Sequence, residues 1–279
     1  MGDIQQALLN LVNASGFLLQ LRVEHEIEET KAGHGWDILG REHLWEDPES
    51  DEEHFIDLIL SSGILRTIIE CKRVLEGDWV FLAPTPKEKQ THQARLFWSF
   101  SADIEKGNHP FDWSDFWLRG IFAESTFCVV RGQGEKDKPM LERLAGTVVK
   151  SVEALSLQEF KLLRQAKQES PRVYIPVVVT TAQLHVCHFD PCEVSIQDGQ
   201  LPMDKLSDNR FEPVPYIIFQ KSLGTGAPAE IKGTDLGEMN RAGERSVFIV
   251  HASEISRFLK EIYALEYQGK WPWIQAGFG

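Results

Sequence analysis

The chain has 279 residues, of which 42% are hydrophobic and 25% charged, and a formal net charge of −13 from 42 acidic and 29 basic side chains. This composition provides for a real core, excludes global disorder and fibrous repeats, and argues against a generally basic nucleic-acid glove. The charge is also local: Gln20 to Asp57 holds thirteen Asp/Glu against Arg22, Lys31 and Arg41, a net of −10.

In chain order, Asp3 to Val12 reads as a short helix with Ile4, Leu8, Leu11 and Val12 on one face. Phe17 to Glu29 reads as a second helix. Leu19, Val23 and Ile27 form its i, i+4 stripe, Ser15 is placed to N-cap it, and Gly33 to end it. Trp36 to Trp45 reads as a strand, and Glu46 to Glu53 as a solvated acidic turn. Phe55 to Leu60 and Leu65 to Val74 are β-rich runs joined at Ser61-Ser-Gly-Ile64. Thr91 to Glu105 and Pro139 to Lys167 read as helical, the latter with Leu141, Leu144, Val148, Val152 and Leu155 as its buried stripe. Val173 to Thr180 reads as a buried strand and Leu184 to Ile196 as a hairpin around Asp190-Pro191. Tyr216 to Gln220 and Ser246 to His251 read as further strands, and Glu254 to Tyr263 as a closing helix. The expected class is α/β, with the order helix, three strands, helix, strand followed by a β-rich extension.

The informative stretch is Phe55 to Arg73. If Gly63 is the first central residue of a type II′ turn, Ser62 pairs with Leu65, and counting outward sets Asp57 opposite Glu70. Side chains alternate along a strand, so Glu70 and Lys72 share a face with Asp57, while Ile56, Leu58, Leu60, Ile69 and Cys71 face the core. Two facing carboxylates repel each other unless a cation lies between them, and hard oxygen donors favour Mg²⁺ or Mn²⁺. A lysine beside such a cation can position the attacking water. This is equipment for phosphodiester hydrolysis. Glu-x-Lys occurs four times, at Glu29, Glu70, Glu159 and Glu230, and only Glu70 has an apolar strand around it and an acid on the strand before.

Asp57, a twelve-residue gap and Glu70-Cys-Lys72 resemble the PD-(D/E)XK, or restriction-endonuclease-like, nuclease superfamily, with Ile56 where that pattern has Pro. The resemblance implies an αβββαβ core over about residues 16–181, a mixed sheet flanked by helices, with an inserted segment at 85–135 and a C-terminal extension at 182–279, all in one nuclease-like domain. It implies that Asp57, Glu70 and the backbone carbonyl of Cys71 bind Mg (or Mn) and that Lys72 handles the nucleophilic water. It also implies an acid from the first core helix; Glu24 is the candidate, with Glu26 and Glu28 as alternatives. The implied activity is a Mg-dependent DNA endonuclease of restriction or phage-defence type, alone, as a homodimer or in a larger defence complex. The alternative is a catalytically silent module of the same fold with a binding or regulatory role, suggested by an acidic surface that repels DNA.

Other signals are weaker. His185-Val-Cys-His-Phe-Asp-Pro-Cys192 fits no standard four-ligand zinc spacing, and neither Gly224-Thr-Gly226 nor Arg131-Gly-Gln-Gly134 continues as a P-loop. Lys87 to Arg95, then Phe97 and Trp98, is the best basic-aromatic patch for phosphate contact, with Lys136, Lys138 and Arg143 beside it. The start lacks the basic flank and apolar run of a secretory signal, no run spans a bilayer, and four cysteines make no disulfide scaffold. A soluble cytoplasmic protein without membrane partners is the expectation.

Overall fold

The computed structural model describes residues 2–47, 50, 52–75, 77–84, 90–101, 110–131, 139–202, 210–223, 235–265 and 271. In chain order the elements are α1 (Gly2–Ala14), α2 (Phe17–His34), β1 (Asp37–Glu46), β2 (Glu53–Ser62), β3 (Leu65–Lys72), β4 (Asp78–Pro84), β5 (Gln90–Phe100), β6 (Phe111–Ser125), β7 (Cys128–Val130) and α3 (Met140–Gln165). There follow β8 (Pro171–Thr180), β9 (Gln183–Phe189), β10 (Phe211–Pro213), β11 (Tyr216–Ser222), α4 (Leu236–Gly243), β12 (Glu244–His251), α5 (Ile255–Glu261) and β13 (Ala264–Leu265). The class is mixed α/β. No helix among the described residues is long and apolar enough to cross a membrane.

A nine-stranded sheet runs β1-β2-β3-β8-β12-β11-β6-β13, with β5 pairing both β6 and β8. The first three strands are antiparallel, and β3 then pairs in parallel with β8 over its full length. A strand has only two edges, so β5 and β12 must share the second edge of β8. They divide it: Pro171 to Tyr174 pair with β5, and Val177 to Thr180 with β12. Pro176, which offers no N–H, lies between the two halves. Strands β8, β12, β11, β6 and β5 thereby close into a five-stranded barrel, while a separate four-stranded sheet runs β10-β9-β4-β7. The C-terminal strands β11 and β12 thus continue the sheet that carries β3.

Two apolar clusters sandwich the main sheet. Leu19, Val23 and Ile27 of α2 and Ile255, Phe258 and Leu259 of α5 meet Leu58, Leu60, Ile69 and Val177 on one side. Leu141, Ala145, Val148, Val152 and Leu155 of α3 meet Ile59, Ile68, Val178 and Ile249 on the other. Period-3.6 stripes on the helices and near-continuous apolar runs on the central strands are the sequence counterpart.

Several expectations need correction. Thr91 to Glu105 is not helical: Gln90–Phe100 is a strand, and residues 102–109 lie outside the described set. Ala94, Leu96 and Trp98 pack into one cluster and Phe97 into the other, so both faces of the strand are buried and its period of two is masked. Helix α2 ends at Gly35, not Gly33; Gly35 is left-handed at φ 72° and its N–H donates to the Lys31 carbonyl at 2.8 Å. Gly16 occupies its N-cap, and the Ser15 hydroxyl donates back to the Val12 carbonyl instead. The apolar face of α1 is exposed, with Ile4, Leu8, Leu11 and Val12 in contact with solvent. No hairpin surrounds Asp190-Pro191. Asp190 caps a single 3₁₀ turn by accepting from the Cys192 N–H, and β9 finds its antiparallel partner in β10. The acidic turn is not wholly solvated either, because Asp47 is buried and paired with Lys150 at 3.0 Å. Glu49 and Asp51 lie outside the described residues, as do Glu230, Gly224-Thr-Gly226, most of Arg131 to Gly134, Lys87, Lys89, Lys136 and Lys138.

Candidate functional site

The β2–β3 hairpin has the register counted from the turn. Ser62 faces Leu65 and the ladder continues to Leu58 opposite Ile69. Gly63 has φ 58°, and Ile64 is not among the non-glycine residues of positive φ, as a type II′ turn requires. The next step of the register sets Asp57 against Glu70, where the ladder itself has stopped. In its place the Cys71 N–H donates to Asp57 Oδ2 at 2.6 Å. Leu58 and Leu60 lie in the cluster with α2, whereas Ile56, which alternation puts on the same core face, joins the cluster under α3. The Cys71 thiol lies against the α2 cluster.

Burial leaves both carboxyls electrostatically unsatisfied. Asp57 is raised from 3.8 to about 6, first by desolvation, against the Cys71 N–H bond, which lowers it, and with Glu42 raising it further. Glu70 is raised from 4.5 to about 8, again first by desolvation and then by the charge on Asp57; Lys72 opposes this and Glu42 adds to it. Burial also pushes the Cys71 thiol well above its ordinary value, with Asp57, Glu70 and Glu42 contributing. Each of these groups therefore senses the same patch of negative charge.

That patch contains Glu42 and not Glu24. The Glu24 carboxylate is engaged by Arg41, whose Nε donates to it at 2.5 Å while Nη2 takes Glu28 at 2.7 Å. Glu26 pairs with Arg22 at 2.7 Å. Glu24, Glu26 and Glu28 of α2 are thus spent on arginines, and the helix turns a different side chain inward. Gln20, which is buried, donates from Nε2 to Glu42 Oε1 and to the Asp57 carbonyl, the latter at 3.2 Å. Glu42 follows from the β1–β2 register, since Arg41 faces Leu58 and His43 faces Ile56, which sets Glu42 opposite Asp57. Counting outward from the 47–52 turn would have found it, but a loop of that length does not fix a register in sequence.

Oxygen donors from Asp57, Glu70 and Glu42 are the groups that could hold a hard divalent cation, and the raised Asp57 and Glu70 carboxyls are the charge it would neutralise. As placed, no three His, Cys, Asp or Glu side chains among the described residues converge into a ready metal cage. The histidines of the 185–192 stretch are held by carboxylates, His185 by Asp78 at 3.2 Å and His188 by Glu212 at 3.1 Å. In comparisons with known proteins, no family model, no curated protein and no solved structure matches the chain, so its chemistry has to be argued from the site itself.

Proposed function

We propose that the protein is a metal-dependent phosphodiester hydrolase acting on DNA, with a restriction-endonuclease-like core formed by α2, β1, β2, β3, α3 and β8. The observation that carries this reading is the pair of desolvated carboxyls at Asp57 and Glu70, raised to about 6 and about 8, with Lys72 two residues further on. Buried acids without a built-in counter-charge are costly, and perturbed carboxyls beside a lysine are the mark of a site that performs chemistry. The order of elements and the parallel β3–β8 pairing agree with it.

In this reading Asp57, Glu70 and the Cys71 carbonyl would hold Mg²⁺ or Mn²⁺. The bound ion supplies Lewis acidity, lowering the pKa of water and stabilising charge on a phosphoryl oxygen. The Cys71 N–H orients Asp57. Lys72 would donate to the attacking water and position it, while its charge favours the Glu70 carboxylate over the acid. Near neutral pH Glu70 holds a proton that it must release before it can bind a cation. Cleavage of foreign DNA in restriction or phage defence is the proposed setting, alone, as a homodimer or in a larger complex.

The protein is expected to cleave duplex DNA in Mg²⁺. The EDTA-treated protein and Lys72→Ala are expected not to, and cleavage by Lys72→Ala at the wild-type rate would sink the assignment. A second reading, a silent module of the same fold, is favoured by the absence of a ready cage among the described residues. A flat Mn²⁺ titration together with intact DNA across a substrate panel would select it.

A further inference from the structure

We propose that α1 is a dimerisation helix, pairing with α1 of a second copy of this chain, antiparallel about a two-fold axis. This stands apart from the metal-dependent reading and holds or fails without it.

Every residue from Ile4 to Ala14 is exposed, and none belongs to either apolar cluster of the described residues. Yet α1 has the pattern of a helix that packs: Ile4, Leu8, Leu11 and Val12 share one face, with Leu9 beside it. A helix of 13 residues is marginal in water and persists when an apolar face is covered. Phe17, Leu18 and Leu21 of α2, exposed as well, follow after only Ser15 and Gly16. These residues are 42% to 69% exposed, so at about 200 Å² for a whole residue the five on α1 offer about 600 Å² per copy, and all eight about 900 Å². A standard-size interface takes about 800 Å² from each partner.

Charge selects the occupant. The chain carries −13, so two copies repel each other over most approaches. Met1 to Leu21 hold a single charged side chain, Asp3, and the next one, Arg22, is paired with Glu26 at 2.7 Å. Two copies can therefore meet here without repulsion. A strongly charged partner finds no counter-charge on this face, and a lipid surface finds none of the Lys or Arg that interfacial helices present to headgroups. The polar residues flanking the stripe are amides, Gln5, Gln6, Asn10 and Asn13, with Gln6 donating to Asn10 Oδ1 at 3.0 Å. An amide both donates and accepts, so such a rim is its own complement across a two-fold axis. Leu8 is midway between Ile4 and Val12, which sets it near the axis, with Ile4 of each copy meeting Leu11 and Val12 of the other.

Sedimentation velocity on the full chain tests this. The wild-type protein is expected at twice the mass of one chain at micromolar concentration. Leu8→Glu sets two carboxylates against each other at the axis and is expected to raise the dimer dissociation constant by at least about 100-fold. Leu8 lies outside both clusters, so the variant is expected to keep the wild-type near-UV circular dichroism of the core. Ile196→Glu, at an exposed apolar residue far along the chain, is expected to leave the dimer intact. A wild-type monomer at the highest soluble concentration overturns the inference. A dimer that survives both Leu8→Glu and Leu11→Glu also overturns it, because another face then joins the copies. A monomer that binds neutral phosphatidylcholine vesicles, with binding lost in Leu8→Glu, overturns it and assigns the face to lipid.

Discussion

Strand β3 carries an ionisable side chain near each end, the buried Arg66 and the half-buried Glu70, and the two ends are built in opposite ways. Near its start, Arg66 donates from Nε and Nη2 to Glu159 Oε1 at 3.1 and 2.7 Å, Arg172 adds a bond at 2.7 Å, and Tyr174 donates to Oε2 at 3.0 Å. These partners outweigh desolvation, the largest single cause, and hold the Glu159 carboxyl below its ordinary value. Near the end of β3, Glu70 has only Lys72 to set against burial, Asp57 and Glu42, and is raised to about 8. The fold can neutralise a buried carboxylate with its own arginines and does so at Glu159. At Glu70 it does not, and the carboxyl answers burial by holding its proton up to about 8.

Breaking this contrast gives ordered expectations. The largest effect belongs to Lys72→Ala, with DNA cleavage reduced by about 10²–10⁴-fold at saturating Mg²⁺ in a gel assay. Next is Glu159→Ala, which removes the carboxylate partner of the buried Arg66 and the half-buried Arg172 and is expected to cost about 3 kcal/mol in urea unfolding. Glu70→Gln runs the other way, stabilising the metal-free protein by about 1 kcal/mol, because it removes an uncompensated acid. Destabilisation by Glu70→Gln would mean that the two ends of β3 are alike.

The pH dependence sharpens the same contrast. Asp57 and Glu70 bind protons more tightly in the folded chain than in the unfolded one, so the folded state carries the extra protons. Their contribution to metal-free stability is full below the ordinary carboxyl values and is lost as pH rises, through about 6 for Asp57 and about 8 for Glu70. Glu159 works in reverse: its lowered pKa stabilises above the ordinary carboxyl value, and that stability is lost as pH falls through the lower folded value. Melting temperatures of wild type and Glu70→Gln without metal are therefore expected to diverge between pH 5 and 8.5 and to coincide at the acid end. The smallest effect concerns the acidic turn. Since Asp47 is committed to Lys150, the remaining acids of the turn, Glu46, Glu49, Asp51, Glu52 and Glu53, are proposed to act as a screen against DNA. Replacing them with Gln is expected to raise DNA affinity about threefold at low salt and hardly at all at high salt.

What could be read from sequence follows the reach of each interaction. The 55–72 hairpin was legible because Gly63 and two apolar runs fix a local register, which holds from Ser62–Leu65 as far as Leu58–Ile69. Helices α2 and α3 were legible from their stripes. The β5 strand was not, since its partners β6 and β8 pair through residues that are distant in sequence, and burial on both faces removes the alternation. The contacts of Arg41 with Glu24 and of Gln20 with Glu42 and the Asp57 carbonyl were hidden for a related reason: each joins residues from different elements.

The most direct test is anomalous diffraction from crystals soaked in Mn²⁺. A peak between the carboxylates of Asp57 and Glu70, lost in Glu70→Gln, is the expected result; an ordered site with no manganese there, in crystals grown near pH 8 where Glu70 can release its proton, would contradict it.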